Sequence, residues 1–296
     1  MLFSIGFSSC NKNGDELANQ LKDEDYNVIG VEHNKALDHV FNQLKTKKLS
    51  FNNLKSADNV LVVAEEVANQ FIMENSELVE IGGVQIALEQ SEYLFDYGEK
   101  YHDGQITSAY TVNCWPQEVD DLLSEKQKAM LLKLNNIADT PNPELDKVIR
   151  DITALEEQIK IECDESDIEV LLIATSVAKN SFQYWHDYGD DWIELCTERS
   201  DLKGWRDFRW EQVGKVDIAA GIGGAIAGGA IGAVAAGAGA GPGAVAGGVG
   251  GAIGGSITDA ILQIWSSQTI REDRVEFDPD LDLGDYEEID IPVEFL

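Results

Sequence analysis

The strongest constraint in this chain is a tract of 41 residues without a charge, which lies between Asp217 and Asp259. It contains sixteen of the 27 glycines of a 296-residue chain. The hydrocarbon core of a bilayer is about 30 Å thick and needs about 20 helical residues, so the tract is long enough for two passes. Gly239 to Gly243 supply a turn, because Pro242 cannot continue the first helix. The tract therefore predicts a helical hairpin.

The spacing of side chains within the tract supports the hairpin. A β-branched residue recurs at every fourth position of each arm, as in Ile218, Ile222 and Ile226. Small residues at the same spacing let helix backbones approach closely, which holds helices together in lipid. Seven glycines have this spacing and are the predicted packing residues of a glycine zipper: Gly224, Gly228 and Gly232 in the first arm, and Gly243, Gly247, Gly251 and Gly255 in the second.

The four-residue glycine spacing resembles the two-pass segment of some bacterial envelope lipoproteins and the hydrophobic hairpin of pore-forming bacteriocins. Trp205, Trp210 and Trp265 flank the open ends of the hairpin, where an aromatic belt lies in membrane proteins. We expect residues 213–266 to form a membrane-inserting hairpin. The alternatives are a hairpin buried inside a helical body and a flexible linker; linkers, however, are Gly/Ser-rich and do not carry an isoleucine at every fourth position.

The first residues are apolar and lead to Cys10. Phe-Ser-Ser-Cys followed by Asn-Lys-Asn resembles the end of a lipoprotein signal of the Bacteroidota, in which the cysteine receives diacylglycerol. The resemblance implies lipidation of Cys10, a signal remnant and tether over residues 1–15, and a place in the bacterial envelope, at the outer membrane or surface. A basic n-region is missing, so we expect the true start upstream of Met1. The alternatives are a secreted protein and a cytoplasmic protein with an apolar first strand.

Residues 16–212 carry apolar side chains at three- and four-residue spacing, which predicts an all-α bundle of six to eight helices. Asn34 is the expected cap of one helix, and Gly82 with Gly83 should break another segment. Pro116 and Pro143 suit the first turns of two helices that we expect to pack antiparallel. Asp167 to Tyr188 have the clearest apolar stripe and are the predicted central helix.

The four histidines are the natural place to look for catalysis. His33 and His39 are six residues apart and therefore point in different directions on a helix. HExxH, GxSxG and phosphate-binding loops are missing from the sequence. We therefore expect a non-enzymatic protein without a cofactor. A soluble hydrolase is the alternative, and it would require a polar pocket that gathers His102 or His186 with carboxylates.

The 54 acidic and 22 basic residues give a formal net charge of -32 and a pI near 4.2. Such a surface repels phosphate backbones, so nucleic acid is excluded as an expected partner, and contact with a bilayer must be apolar or covalent. The acidic tail, residues 267–296, contains a weak calcium candidate in Asp278, Asp280 and Asp282, although its glycine is one place late for an EF-hand. A solvated tail or a short edge strand is the alternative.

Two functions follow from the hairpin. The first is an envelope lipoprotein with a structural or binding role, whose hairpin inserts into the bilayer or joins copies of the chain as a homo-oligomer. The second is a pore-forming, toxin-like effector whose hairpin stays sheltered in the fold until it enters a target membrane. The two hypotheses differ in whether the purified protein, without its lipid, stays soluble in the absence of detergent and then permeabilises liposomes.

Overall fold

A computed structural model describes residues 26–102, 122–138, 144–198, 208–231 and 240–272. Helix accounts for 90% of the structure, and the described residues contain no strand, which confirms the all-α prediction. The described ranges hold ten helices, numbered here in chain order: α1 (Asn27–Lys47), α2 (Phe51–Leu54), α3 (Ala57–Glu74), α4 (Ser76–Glu80), α5 (Val84–His102), α6 (Glu125–Ala138), α7 (Leu145–Glu162), α8 (Glu165–Thr197), α9 (Trp210–Ile231) and α10 (Ala240–Glu272).

Short polar residues and one glycine set the helix ends in the first part of the chain. Ser56 accepts a hydrogen bond from the backbone N–H of Asn59 at the start of α3, and Asn75 does the same for Leu78 at the start of α4. Both are standard N-caps, which satisfy an N–H that has no partner within the helix. Gly82 has φ +69, a left-handed conformation that favours glycine, and it separates α4 from α5 as predicted.

The predicted cap at Asn34 is wrong. Helix α1 begins at Asn27, so Asn34 lies in its second turn. Its side chain is occupied elsewhere, because Nδ2 donates to the backbone oxygen of Asn180 in α8 and Oδ1 meets His33. Buried Ile29 and Gly30 extend the packed face of α1 toward its N-terminus, which is why the helix starts earlier than its polar residue suggested.

Helices α6 and α7 pack on each other and on α8. Lys126 at the start of α6 is 3.2 Å from Glu162 at the end of α7, measured from Nζ to Oε2, so the two helices run antiparallel as expected. Pro116 and Pro143, which were expected in their first turns, lie outside the described residues. The pair forms one wall of a second apolar cluster, to which α8 and α9 contribute the other side.

Helices α8 and α10 share the centre of the fold. Helix α8 contacts α1, α2, α6, α7, α9 and α10, and helix α10 contacts α1, α3, α5, α8 and α9. The apolar residues of α10 belong to the largest core cluster together with those of α1 and α3. The stripe predicted for α8 is buried throughout, and α8 lies between the two clusters. The boundaries drawn at residues 213 and 266 fall inside α9 and α10, which share their core with the preceding helices.

Candidate functional site

Helices α9 and α10 touch through their backbones. A Cβ placed on Gly224 would overlap the carbonyl oxygen of Gly247 and lie 2.7 Å from its carbonyl carbon, and the reverse substitution at Gly247 meets Gly224 in the same way. A Cβ on Gly228 would overlap the carbonyl oxygen of Gly243. Because partners further along α9 lie further back along α10, the helices pack antiparallel. Only residues without a side chain fit such a contact.

Six of the seven glycines expected to pack the hairpin lie at this contact. Gly251 faces Ala220 and Gly224, and Gly255 faces Ala220, where an added Cβ would lie 2.6 Å from the Ala220 Cβ. The seventh, Gly232, lies outside the described residues. The four-residue spacing of glycine thus coincides with the closest approach of the two helices.

A second glycine face of α10 packs against α5. A Cβ on Gly250 would overlap the carbonyl oxygen of Ala87, and one on Gly254 would lie 2.7 Å from that of Ser91. A Cβ on Gly83, just before α5, would overlap the Cβ of Ala246, which lies on the same face of α10. Small residues recur at every fourth position here, at Gly83, Ala87 and Ser91. They let α5 approach α10 as closely as α9 does on the other side of α10.

Protein covers α10 on its remaining sides. In the described part of the chain one stretch, Gly241–Ser266, is long and apolar enough to cross a bilayer. Its most apolar window is 94% buried inside the protein. The segment with the composition of a membrane span is therefore enclosed by α1, α3, α5, α8 and α9.

A buried polar cluster lies where α1, α8, α9 and α10 meet, and Asp217 of α9 is its centre. Asp217 Oδ2 is within hydrogen-bond distance of Ser181 Oγ of α8, of Ser256 Oγ of α10 at 2.5 Å, and of Trp185 Nε1 at 3.3 Å. His33 of α1 reaches the same point, with Nε2 3.0 Å from Ser256 Oγ and 3.7 Å from Asp217 Oδ2. Neither Asp217 nor His33 is exposed to solvent.

Burial changes the acid–base properties of both groups. It raises the pKa of Asp217 to about 8, although the hydrogen bonds from Ser181 and Ser256 oppose the shift. It lowers the pKa of His33 to about 4, against the opposing effect of Asn34. Both shifts favour the neutral form, as expected for ionisable groups removed from water. Among the described buried atoms, Asp217 Oδ1 has no hydrogen-bond partner, which adds to the cost of a charged carboxylate there.

The sequence pattern did not predict this cluster. Asp217 is one boundary of the uncharged tract, and Ser256 lies inside the tract. A carboxylate that directly precedes an apolar helix, with a hydroxyl in the opposite arm, is the signal that could have suggested a pair. The other members come from helices distant in the chain, since His33 and Ser256 are 223 positions apart.

Most of the other predicted site residues lie outside the described set. His186 is on the surface of α8, where Nδ1 is 3.0 Å from Asp187 Oδ1, and the side chain of His102 at the end of α5 is outside the described set. Cys10 and the calcium candidates Asp278, Asp280 and Asp282 also lie outside the described residues. Within the described ranges, no group of three His, Cys, Asp or Glu side chains is placed to hold a metal ion.

The described helices form a bundle that encloses an antiparallel pair of glycine-rich helices. A buried polar cluster joins this pair to α1 and α8. Searches against models of protein families, curated proteins and solved structures find no match for the chain.

Proposed function

We propose that this protein is a membrane-active envelope or secreted protein that stores α9 and α10 inside its bundle and inserts them into a bilayer on release. The observation that carries the proposal is the burial of most of Gly241–Ser266, a stretch of bilayer-crossing length and composition, among five other helices. Of the two functions raised by the sequence, enclosure favours the sheltered effector, because a resident membrane hairpin presents its apolar surface to lipid. The proposal involves no enzymatic step.

The backbone contact between α9 and α10 suits both environments. In water, each glycine in a helix costs roughly 1 kcal/mol relative to alanine, so the pair needs the surrounding bundle to remain helical. In hydrocarbon an unpaired peptide group costs several kcal/mol, which enforces helix, and the small residues supply close packing between helices. The pair can therefore move between the two environments as a unit. Self-association through the same glycine faces is proposed only for the inserted state, because α5 and α9 cover them in the bundle.

The charge of the chain limits how it meets a bilayer. A formal net charge of -32 repels anionic headgroups, so first contact depends on apolar surface or on a lipid carried by the protein itself. Lipidation of Cys10 would supply that anchor and keep the bundle next to a membrane. We accordingly place the protein at the bacterial cell envelope, with secretion as the alternative.

Two engineered disulfides test release directly. A Cβ on Gly221 in α9 would lie 3.7 Å from the Cβ of Val177 in α8, and a Cβ on Gly248 in α10 would lie 3.6 Å from that of Ala225 in α9. Both distances match the Cβ separation of disulfides, about 3.8 Å. Val177→Cys/Gly221→Cys ties the stored pair to the bundle, whereas Ala225→Cys/Gly248→Cys ties only its two arms together. The second variant is therefore the matched control.

The assay uses protein expressed with its upstream start, which keeps Cys10 and has alanine at Cys114, Cys163 and Cys196. It is mixed with phosphatidylcholine vesicles loaded with a quenched dye, at several pH values between 4 and 9. We expect the oxidised bundle lock to reduce leakage to the level of vesicles alone and a reductant to restore it. The oxidised arm lock should behave like the parent protein. Leakage that is unaffected by the bundle lock, or absent for the parent protein under every condition, would show that α9 and α10 are simply the core of the fold.

A further inference from the structure

The hydrogen-bond partners of His33 determine where its first proton lies. Asn34 Nδ2 donates to the backbone oxygen of Asn180 at 3.0 Å, so Oδ1 is the Asn34 atom that faces His33 Nδ1, also at 3.0 Å. An amide oxygen only accepts hydrogen bonds. His33 Nδ1 therefore carries hydrogen, and in the neutral ring Nε2 is an acceptor.

Ser256 has a single hydroxyl hydrogen, but two neighbouring atoms, Asp217 Oδ2 and His33 Nε2, are both close enough to accept it in a hydrogen bond. Its Oγ is 2.5 Å from Asp217 Oδ2 and 3.0 Å from His33 Nε2, and it also accepts from Trp185 Nε1 at 3.1 Å. If Ser256 donates to His33, the Asp217 carboxyl must supply the hydrogen of its own contact with Ser256. If Ser256 donates to Asp217, His33 must be doubly protonated. In both arrangements the three groups hold one proton more than an ionised Asp217 beside a neutral His33.

We propose that Asp217, Ser256 and His33 form a binding site for one proton, which holds the α9–α10 pair against α1 and α8 while it is occupied. In its resting arrangement the Asp217 carboxyl donates to Ser256 Oγ, Ser256 donates to His33 Nε2, and His33 Nδ1 donates to Asn34. This arrangement leaves no charge in a site closed to water, where two unsolvated charges would be costly. The opposite shifts of the Asp217 and His33 pKa values agree with it.

Loss and gain of a proton disturb the site in different ways. When the site gives its proton to bulk water, Asp217 becomes a buried anion, and the single Ser256 hydrogen can bridge to only one of its two neighbours. A hydrogen bond that joins α10 to α9 or to α1 is then lost. When the site takes up a second proton, His33 becomes a buried cation whose Nε2 donates to Ser256, so the contact remains but a buried charge must be accommodated.

The signs of the two shifts define how the site changes stability with pH. The pKa of Asp217 is raised from 3.8 in the unfolded chain to about 8, so its contribution to stability is complete below pH 3.8 and is lost as the pH rises to about 8. The pKa of His33 is lowered from 6.5 to about 4, so its contribution is complete above pH 6.5 and is lost as the pH falls to about 4. The two changes offset each other between about pH 4 and 6.5, so the net loss of stability from the site falls on the alkaline side, between about pH 6.5 and 8.

Other charged groups lie near the site on α10, α9 and α1. Asp259 on α10 raises the pKa of Asp217 and so favours the bound proton. Lys215 lies two positions before Asp217 on α9. On α1, Glu32 next to His33 pairs with Lys35 at 2.5 Å. The packed face of α8 contributes the uncharged donors Ser181 and Trp185.

The test observes the proton itself. Protein with ¹³C-labelled aspartate carboxyls and ¹⁵N-labelled histidine rings is measured by NMR from pH 4 to pH 9, with signals assigned from Asp217→Asn and His33→Gln. We expect one carboxyl to remain protonated at pH 7 and to titrate near pH 8, and His33 to be neutral with hydrogen on Nδ1. An Asp217 carboxyl ionised at pH 6 would overturn the proposal, and this measurement on wild-type protein holds even if a variant fails to fold.

A second measurement asks whether the proton holds the bundle closed. The asparagine amide mimics a protonated carboxyl, so Asp217→Asn should abolish the fall in denaturation midpoint between pH 7 and pH 9, while Asp187→Asn, on the surface of α8, should keep it. The same alkaline fall in both variants would refute this role. The idea that the proton controls membrane insertion rests on the proposed function. The NMR and denaturation experiments use no vesicles, so they test the proton site independently of that function.

Discussion

Gly224→Ala tests the backbone contact between α9 and α10 with a single methyl group. The new Cβ would overlap the carbonyl oxygen of Gly247 and sit 2.7 Å from its carbonyl carbon, inside the 3.4 Å at which ordinary contact begins. Both obstructing atoms are backbone, so the helices must move apart. Replacing glycine in a helix gains roughly 1 kcal/mol of propensity, but overpacking a tight core loses about 1–3 kcal/mol and occasionally more.

Since a helix must move rather than a side chain, we expect the upper part of that range and a net destabilisation of about 2 kcal/mol. For a protein of this size, this corresponds to a fall in Tm of about 3 °C. The matched control is Gly221→Ala, one turn earlier in α9, whose Cβ would meet the side chain of Val177 at 3.3 Å. Because a side chain can adjust, we expect the control to be neutral or up to about 1 kcal/mol more stable.

The assay is denaturant unfolding at pH 6, followed by tryptophan fluorescence and by circular dichroism, with thermal melts in parallel. Each variant adds one methyl group to the same helix. The gain in helix propensity is therefore nearly equal in both and cancels when their stabilities are compared. If Gly224→Ala is as stable as Gly221→Ala, the α9–α10 contact is looser than the structure has it, and the reasoning fails.

Two further predictions concern the cysteines. Expressed with its native upstream start, the protein should incorporate labelled fatty acid, and Cys10→Ala should abolish the incorporation; unchanged labelling would remove the lipoprotein hypothesis. In a variant whose Cys10 and Cys114 are alanine, a maleimide at pH 7 should modify half-buried Cys163 in the folded protein and Cys196 only on unfolding, because Cys196 is fully buried and burial raises its pKa to about 12. Equal modification rates would contradict the packing around Cys196.

Composition and spacing were enough to predict the helical class. A four-residue repeat of glycine is a local pattern, and it puts those residues on one helix face in any environment. The turn at Gly82 was equally local, since two adjacent glycines interrupt a helix wherever they occur. These features did not depend on knowing which helices are neighbours.

The location of the pair within the bundle depended on distant residues. The face of α5 that covers α10 consists of Gly83, Ala87 and Ser91 within a segment of ordinary polar composition, so it does not stand out in the sequence. Asp217 looked like the charged end of an apolar run, which usually marks the edge of a membrane or a surface. Its burial follows from Ser181 and Trp185 of α8 and from His33 of α1, which only the tertiary structure brings together.

The central position of α10 has a consequence for the order in which the protein is made. It is the last of the described helices to leave the ribosome, yet α1, α3, α5 and α8 all rest against it. Until it arrives, their apolar faces have no partner, and contacts between residues so far apart in the chain form slowly. During synthesis these faces therefore form an apolar groove that must be protected, and α10 fills the groove once it has been made.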